Sequence, residues 1–314
     1  MKKIIFFFLL VSKIAFSQES NDKIVYLDSL YKEVSIENKY YTKIIKDYNL
    51  EKSDYKILTL YKSGKLKEEK TVSEKDGGYL IGEEISYYEN GNKSSSVLYE
   101  NKLRYGKTYS WHENGKLKEE GEFISVPNAT DTRFKMINYW NEKGEKTVID
   151  GNGLVTLKND YYEENGNYKN GYREGKWSGK SLKNIYSYEE IYSGGELVSG
   201  VSTEADGTKN EYSVLEMKPE PKKGMSHFYK YISNNFNAPN SAYKNKIQGK
   251  IIVAFVVDRE GKIIEPKIVK SLGTELDNEA IRLLTSYENW KPAYQKGRKV
   301  RCSFNIPIRL DFTR

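Results

Sequence analysis

Trp111–Gly121 reads WHENGKLKEEG. An aromatic residue, a polar pair, an Asn-Gly dipeptide and a charged run follow in that order. The order recurs in LYKSGKLKEE from Leu60, YYENGNKSSS from Tyr87, YWNEKGEKTV from Tyr139 and YYEENGNYKN from Tyr161. The turn glycines Gly64, Gly91, Gly115, Gly144 and Gly166 are spaced by 27, 24, 29 and 22 residues. Second glycine signals lie between them, in GGYLIGEE from Gly77 and NGYREGKW from Asn170. Aromatic residues favour strands, and Asn-Gly supplies the positive-φ residues of a tight hairpin turn. The segments therefore predict a string of β-hairpins.

Alternation in KTYSWHENG puts Tyr109 and Trp111 on one face, with Ser110 and His112 on the other. No single hairpin buries its aromatic face alone, so that face is expected to stack on the next repeat. His112 is then expected to point away from the packed layer. His112, Glu113 and Glu119–Glu120 invite an acid–base reading, but YYENG and YYEENG keep the turn without the imidazole. Paired carboxylates also recur at Glu68–Glu69, Glu83–Glu84, Glu163–Glu164 and Glu189–Glu190. Recurrence at repeat positions assigns them to a solvated surface of the unit.

The YxxG, NG and GxW spacing of YYENG…YGKTYSWHENGKLKEEGEF and NGYREGKWSGKSLKN resembles the MORN-type repeat in its bacterial, antitoxin-like variant, over about residues 55–205. An insertion, 126–131, interrupts the third repeat. The resemblance implies an elongated hairpin array used for contacts and carries over no catalytic residues. Residues 18–54 read as the start of the same β layer.

EMKPEPKKG, Glu216–Gly224, holds two of the seven prolines and three lysines, and reads as an extended linker. Beyond it, Met225, Phe228, Tyr229 and Ile232 recur at helical spacing behind Ser226, a candidate cap. IIVAFVV, Ile251–Val257, is apolar on both faces and reads as a central strand. DREGK turns it back into the antiparallel partner KIIEPKIVK. Asp277 is a candidate cap for a second helix carrying Leu276, Ala280, Leu283, Leu284 and Tyr287. In VRCSFNIPIRLDF, Val300–Phe312, the even positions are apolar, while Arg301, Ser303, Asn305, Pro307, Arg309 and Asp311 share the other face. Pro307 has no N–H, which predicts an edge strand able to accept a partner strand.

These features resemble the C-terminal domain of the TonB family of energy transducers. The resemblance rests on NNFNAPNSAYKNKIQGKIIVAFVVDREGKI, SLGTELDNEAIRLL, ENWKPAYQKGRKV and FNIPIRLDF, in the family's order and spacing. Asn289 stands before Trp290 where the family often has proline. The family implies a periplasmic domain that grips an extended segment of an outer-membrane transporter along a sheet edge. Carried onto this chain, that edge has Arg301, Ser303, Asn305, Pro307 and Arg309 as its partner-binding residues. The partner is an outer-membrane transporter or another envelope protein, and a second copy of the chain is a further partner through the same edge.

The bulk properties fit that picture. Of 314 residues, 38% are hydrophobic and 27 are tyrosine. Net charge is +7, but 51 basic and 44 acidic residues are interspersed, which argues against a nucleic-acid stripe and leaves cell-wall polymer as a partner. Met1-Lys2-Lys3, the apolar run Ile4–Val11 and Ala15-Phe16-Ser17 read as a signal peptide cleaved before Gln18. The apolar segment carries Lys13 and falls short of the roughly 20 apolar residues that cross a bilayer; inner-membrane anchoring by it is the alternative. A single cysteine, Cys302, allows no intramolecular disulfide and faces the core in the strand reading. GKWSGKS from Gly175 has one residue too few between its glycines for a phosphate loop. His112 and His227 stand without the clustered ligands a metal needs. No cofactor or metal is expected, and no catalytic residue.

The sequence thus predicts a mainly β chain. An N-terminal array of MORN-like β-hairpin repeats precedes a small α+β domain with an antiparallel sheet and two helices. The expected divisions are signal peptide 1–17, repeats 18–215, linker 216–224 and TonB-like domain 225–314. The expected function is that of an exported, non-enzymatic envelope binding protein. A membrane-anchored transducer subunit and a structural wall-binding repeat protein are the alternatives.

Overall fold

The computed structural model describes residues 21–100, 102–125, 132–183, 185–287 and 290–312. The expected signal segment, its cleavage site, the 126–131 insertion and Asn289 lie outside the described residues. The chain is mainly β and divides into two units, 1–151 and 152–314.

The first unit is one antiparallel sheet whose ten strands lie in chain order: β1 (Lys23–Leu27), β2 (Tyr41–Ile45), β3 (Tyr55–Tyr61), β4 (Leu66–Val72), β5 (Leu80–Tyr87), β6 (Lys93–Glu100), β7 (Leu103–Trp111), β8 (Leu117–Ser125), β9 (Thr132–Trp140) and β10 (Lys146–Val148). Residues before 55 belong to the same sheet. The repeated turns share one backbone pattern. Gly64, Gly91, Gly115 and Gly144 donate to the carbonyls of Tyr61, Tyr88, His112 and Asn141, three residues back. Positive φ falls on the glycine alone, between +82° and +99°. These are hairpins closed by a glycine bulge, and the register shifts beside each of the first three turns. Asn90 and Asn114 serve differently from the expected positive-φ role: their Oδ1 atoms accept the N–H two residues on, at 2.9 and 3.0 Å.

Consecutive turns are tied by side chains. Tyr61 Oη donates to the Tyr87 carbonyl at 2.7 Å, and Tyr88 Oη to the Trp111 carbonyl at 2.8 Å. His112 Nε2 donates to the Trp140 carbonyl at 2.8 Å. All three side chains stand three residues before a turn glycine. His112 is 8% exposed, so the expectation that it points outward fails. It replaces a tyrosine as the bond from one turn to the next.

The second unit begins with a six-stranded antiparallel sheet, again in chain order: β11 (Gly153–Lys158), β12 (Tyr162–Lys169), β13 (Tyr172–Ser181), β14 (Tyr186–Ser193), β15 (Glu196–Glu204) and β16 (Lys209–Tyr212). GKWSGKS lies in β13, where Trp177 is fully buried against the Cα of Gly166; a Cβ there would meet the indole at 2.1 Å. The carboxylate pairs correct a second expectation. Consecutive strand residues face opposite sides, so in the two pairs of the second unit one member turns inward. Glu164 and Glu190 are buried. Glu164 binds Arg173 and Tyr188 Oη, and Glu190 binds Lys296, Tyr192 Oη and Tyr212 Oη.

The Pro/Lys segment, expected as an extended linker, is extended and also paired. β17 (Glu216–Met217) and β18 (Glu220–Pro221) bond to β22 (Ala293–Gln295) and β21 (Trp290–Lys291). β22 forms a hairpin with β23 (Arg298–Val300), and this hairpin packs on the six-stranded sheet. Lys296 at its tip lies 3.8 Å from the Tyr188 ring centroid and takes the Ser202 hydroxyl on its carbonyl at 2.8 Å. Arg298 grips both Glu204 oxygens at 3.0 Å. The 152–215 repeats and the C-terminal domain are therefore parts of one unit.

The C-terminal domain contains α1 (Gly224–Asn235), α2 (Asn240–Lys244), β19 (Gln248–Val257), β20 (Ile263–Lys270), α3 (Thr274–Ser286) and β24 (Cys302–Asp311). Two helices were expected and form; the five-residue α2 is additional. Ser226 lies inside α1, whose N-cap is Lys223, and Asp277 lies inside α3. The Asp277 carboxylate instead holds the loop before α3, accepting from Ser271 Oγ at 2.5 Å and Leu272 N at 3.2 Å. Phe228, Phe255, Leu283, Trp290 and Ile306 sit in one core of sixteen buried residues.

Candidate functional site

The three-stranded sheet runs β20–β19–β24, so β19 is central and β24 is an edge. Burial alternates along β24. Ile306, Ile308 and Leu310 are buried, while Ser303, Asn305, Pro307, Arg309 and Asp311 are exposed. Cys302 lies on the inner face but is only half-buried.

Ten pairs join β24 to β19 without a register shift. Opposed residues in an antiparallel ladder alternate between exchanging both hydrogen bonds and exchanging none. Phe312 N donates to Ile247 O at 3.0 Å, one step beyond the Asp311–Gln248 pair. The even positions of β24 therefore bond to β19, and the odd positions turn their backbone groups to the open side. Pro307 is odd. Its missing N–H falls where β19 needs no donor, which is how a proline fits a strand of ten residues. Ser303, Asn305, Arg309 and Asp311 present N–H groups along that side.

β20, the opposite edge, is built otherwise. Glu265 has φ +54°, the register shifts twice, and Pro266, Lys267 and Lys270 follow. Bulges, proline and lysine are the features that keep a sheet edge from pairing. β24 carries one proline and no bulge.

A groove of about 680 Å³ opens beside the C-terminal half of β24, between Pro307–Phe312 and the aromatic side chains Tyr229, Phe236 and Tyr243. Tyr243 is 54% exposed and packs edge-on against Phe312, with centroids 4.9 Å apart. Burial raises the Tyr229 phenol above its ordinary pKa. Lys250, Lys270 and Arg309 gather around an adjoining hollow of about 450 Å³, with Asp311 as the acidic member. Of the residues expected at the site, Ser303, Asn305, Pro307 and Arg309 lie along the open edge. Arg301 is set apart by its ion pair with Glu265 at 2.6 Å. The groove's helical bank was not foreseen as part of the site. Tyr229, read in the sequence as part of the apolar stripe of α1, is 38% exposed, and with Tyr243 of α2 it forms this bank.

Residues 235–312 match the family described as Gram-negative bacterial TonB protein C-terminal. The match takes in the groove's Phe236 and Tyr243, all of β24 and the β22–β23 hairpin. It begins after most of α1, so Tyr229 lies outside it. The TonB C-terminal family is one of envelope proteins that act through protein interaction, without catalysis. The strand-rich hairpin array precedes the match. Among curated proteins, none matches the chain. Among the described residues, no helix is long and apolar enough to cross a membrane.

Proposed function

We propose that this chain is an exported cell-envelope binding protein that takes an extended segment of an outer-membrane transporter, or of another envelope protein, onto the open side of β24. The hairpin repeats serve as a second docking surface. The observation that carries this reading is the unbulged ten-residue edge with its outward backbone groups, inside the segment that matches the TonB C-terminal family, beside an aromatic groove. Main-chain bonds to Ser303, Asn305 and Arg309 supply affinity, and the groove and Arg309 supply selectivity.

Asn305→Pro tests it in the full-length chain. The substitution removes one outward N–H and leaves the β19 ladder intact, as Pro307 already does. Capture of an outer-membrane transporter should fall at least about fivefold, since one lost backbone bond with its partner left unpaired costs about 1–3 kcal/mol. Undiminished capture by a folded Asn305→Pro chain would sink the proposal. Sequencing the mature N-terminus tests export: a chain beginning at Gln18 supports it, and an intact Met1 supports anchoring.

A further inference from the structure

We infer that the β1–β4 end of the first sheet is a binding site for an anionic amphiphile, a carboxylate or phosphate head on a short apolar chain. The inference is independent of the β24 edge and concerns the first unit alone.

Register brings the parts together. Lys43 on β2 stands between Val25 on β1 and Thr59 on β3, and one pair further along the same face stand Ile45 and Ile57. These residues, with Leu27, line a hollow of about 390 Å³, within the range of about 300–1,000 Å³ usual for small-molecule sites. Leu27, Ile45 and Ile57 are buried, so the floor is apolar.

Four ammonium groups surround that floor: Lys23, Lys43, Lys70 and Lys75. Three have anionic partners. Lys23 reaches Asp76 at 3.5 Å, Lys70 reaches Glu68 at 2.7 Å and Lys75 reaches Glu51 at 2.7 Å. Lys43 has neither a hydrogen bond nor an ion pair among the described residues. Its direct neighbours across the sheet, Val25 and Thr59, bring no charge. Glu33, the remaining carboxylate of the lining, is exposed.

A half-buried ammonium without a direct ion pair loses hydration, and the attraction of Asp76 and Glu68, each engaged by another lysine, regains only part of it. Burial, then Lys70 and Lys23, outweigh Asp76 and Glu68 and hold the Lys43 pKa below 10.5. An anion at this point restores the missing partner, and an alkyl chain attached to it covers Val25 and Tyr31, the apolar side chains of the lining that stay open to solvent. A bare inorganic anion gains only the first contribution, and a neutral alcohol only the second. An alkyl ammonium meets the unpaired Lys43 and gains no counter-charge from carboxylates already engaged by Lys23 and Lys70.

Octanoate and octyl phosphate, titrated calorimetrically into the full-length chain, test this, with acetate, octanol and octylamine as controls. Saturable binding of either anionic amphiphile is expected, at least about tenfold tighter than acetate, with no binding of octylamine. Lys43→Met should weaken it about ten- to hundredfold, the worth of a charge-assisted hydrogen bond, and Lys43→Arg should retain it. Because the anion favours protonated Lys43, binding should take up protons as pH approaches the lysine's lowered pKa and weaken above it. Equal binding by wild type and a folded Lys43→Met chain would overturn the inference, as would octylamine binding as well as octanoate. Ring-proton or methyl shifts confined to residues outside β1–β4 on adding octanoate would overturn it too.

Discussion

The C-terminal domain and the hairpin sheets are stabilised in different ways. Around Trp290 the domain gathers sixteen buried residues from helices and strands distant in sequence. In the first sheet a cluster around Ile45, Tyr55, Ile57 and Val72 holds four. The sheets compensate with bonds that repeat: turn to turn in the first unit, and carboxylate to tyrosine, arginine or lysine in the second. A single-layer sheet has little apolar area to bury, so each hairpin depends on its neighbours. The domain's stability is pooled, and the array's is distributed.

The largest expected effect lies in the pooled core. Trp290 is 1% exposed and touches the Phe228, Phe255 and Phe304 rings at centroid distances of 5.7, 5.4 and 6.0 Å. Trp290→Ala should cost about 4 kcal/mol in denaturant unfolding. Its Nε1 is buried without a hydrogen-bond partner, so part of the indole's worth is already lost to desolvation. A cost under about 1 kcal/mol would mean that the core is not pooled around this ring.

Next comes the point where the two modes meet. Lys296 comes from the domain's hairpin, and Glu190, fully buried, from the repeat sheet. Lys296→Met leaves a buried carboxylate without its cation, a loss of about 3 kcal/mol. Adding Glu190→Gln should recover a large part of it. If the double variant is as unstable as the single, the ion pair is not what joins hairpin to sheet.

How much of this could be read from residues follows the same division. Period-two alternation from Val300 to Phe312 gave the β24 edge, its faces and its proline, because a strand's side-chain pattern is local. Repeated glycine turns marked the hairpins of the first sheet for the same reason, but Asn165-Gly166, read as another such turn, lies inside β12 and pairs with β11. The partners of inward carboxylates were hidden, since Glu190 and Lys296 lie 106 residues apart. Nor could the pairing of 216–221 be foreseen: prolines and lysines marked it as a linker, and only the distant β21 and β22 supply its bonds. The groove escaped because its two banks come from separate elements.

The carboxylate–tyrosine interior makes the repeats sensitive to alkali. Burial raises the pKa of Tyr188, Tyr192 and Tyr212 above 10.0, and Glu164 beside Tyr188 and Glu190 beside the other two raise it further. These phenols hold their protons more tightly folded than unfolded. Their contribution is intact below pH 10 and is lost as pH rises above it, by up to about 1.4 kcal/mol per pH unit for each tyrosine. Unfolding midpoints at pH 9, 10 and 11 measure the slope, and Tyr212→Phe should reduce it by one proton. An unchanged slope would remove Tyr212 from the linkage.

The smallest effect bears on His112, the residue most easily mistaken for a catalyst. Its Nε2 bond to the Trp140 carbonyl repeats, one turn later, what Tyr61 and Tyr88 do with their hydroxyls. If that bond is its role, a tyrosine at this position can make it and a phenylalanine cannot. His112→Phe should cost about 1 kcal/mol, the usual worth of one buried hydrogen bond, and His112→Tyr should stay within about 0.5 kcal/mol of wild type. Hydrogen exchange at Gly115 and Gly144, whose amides close the two turns involved, would localise the loss. Equal destabilisation by both substitutions would mean that the imidazole's shape matters, and that the turn-to-turn ladder is not what selects the residue.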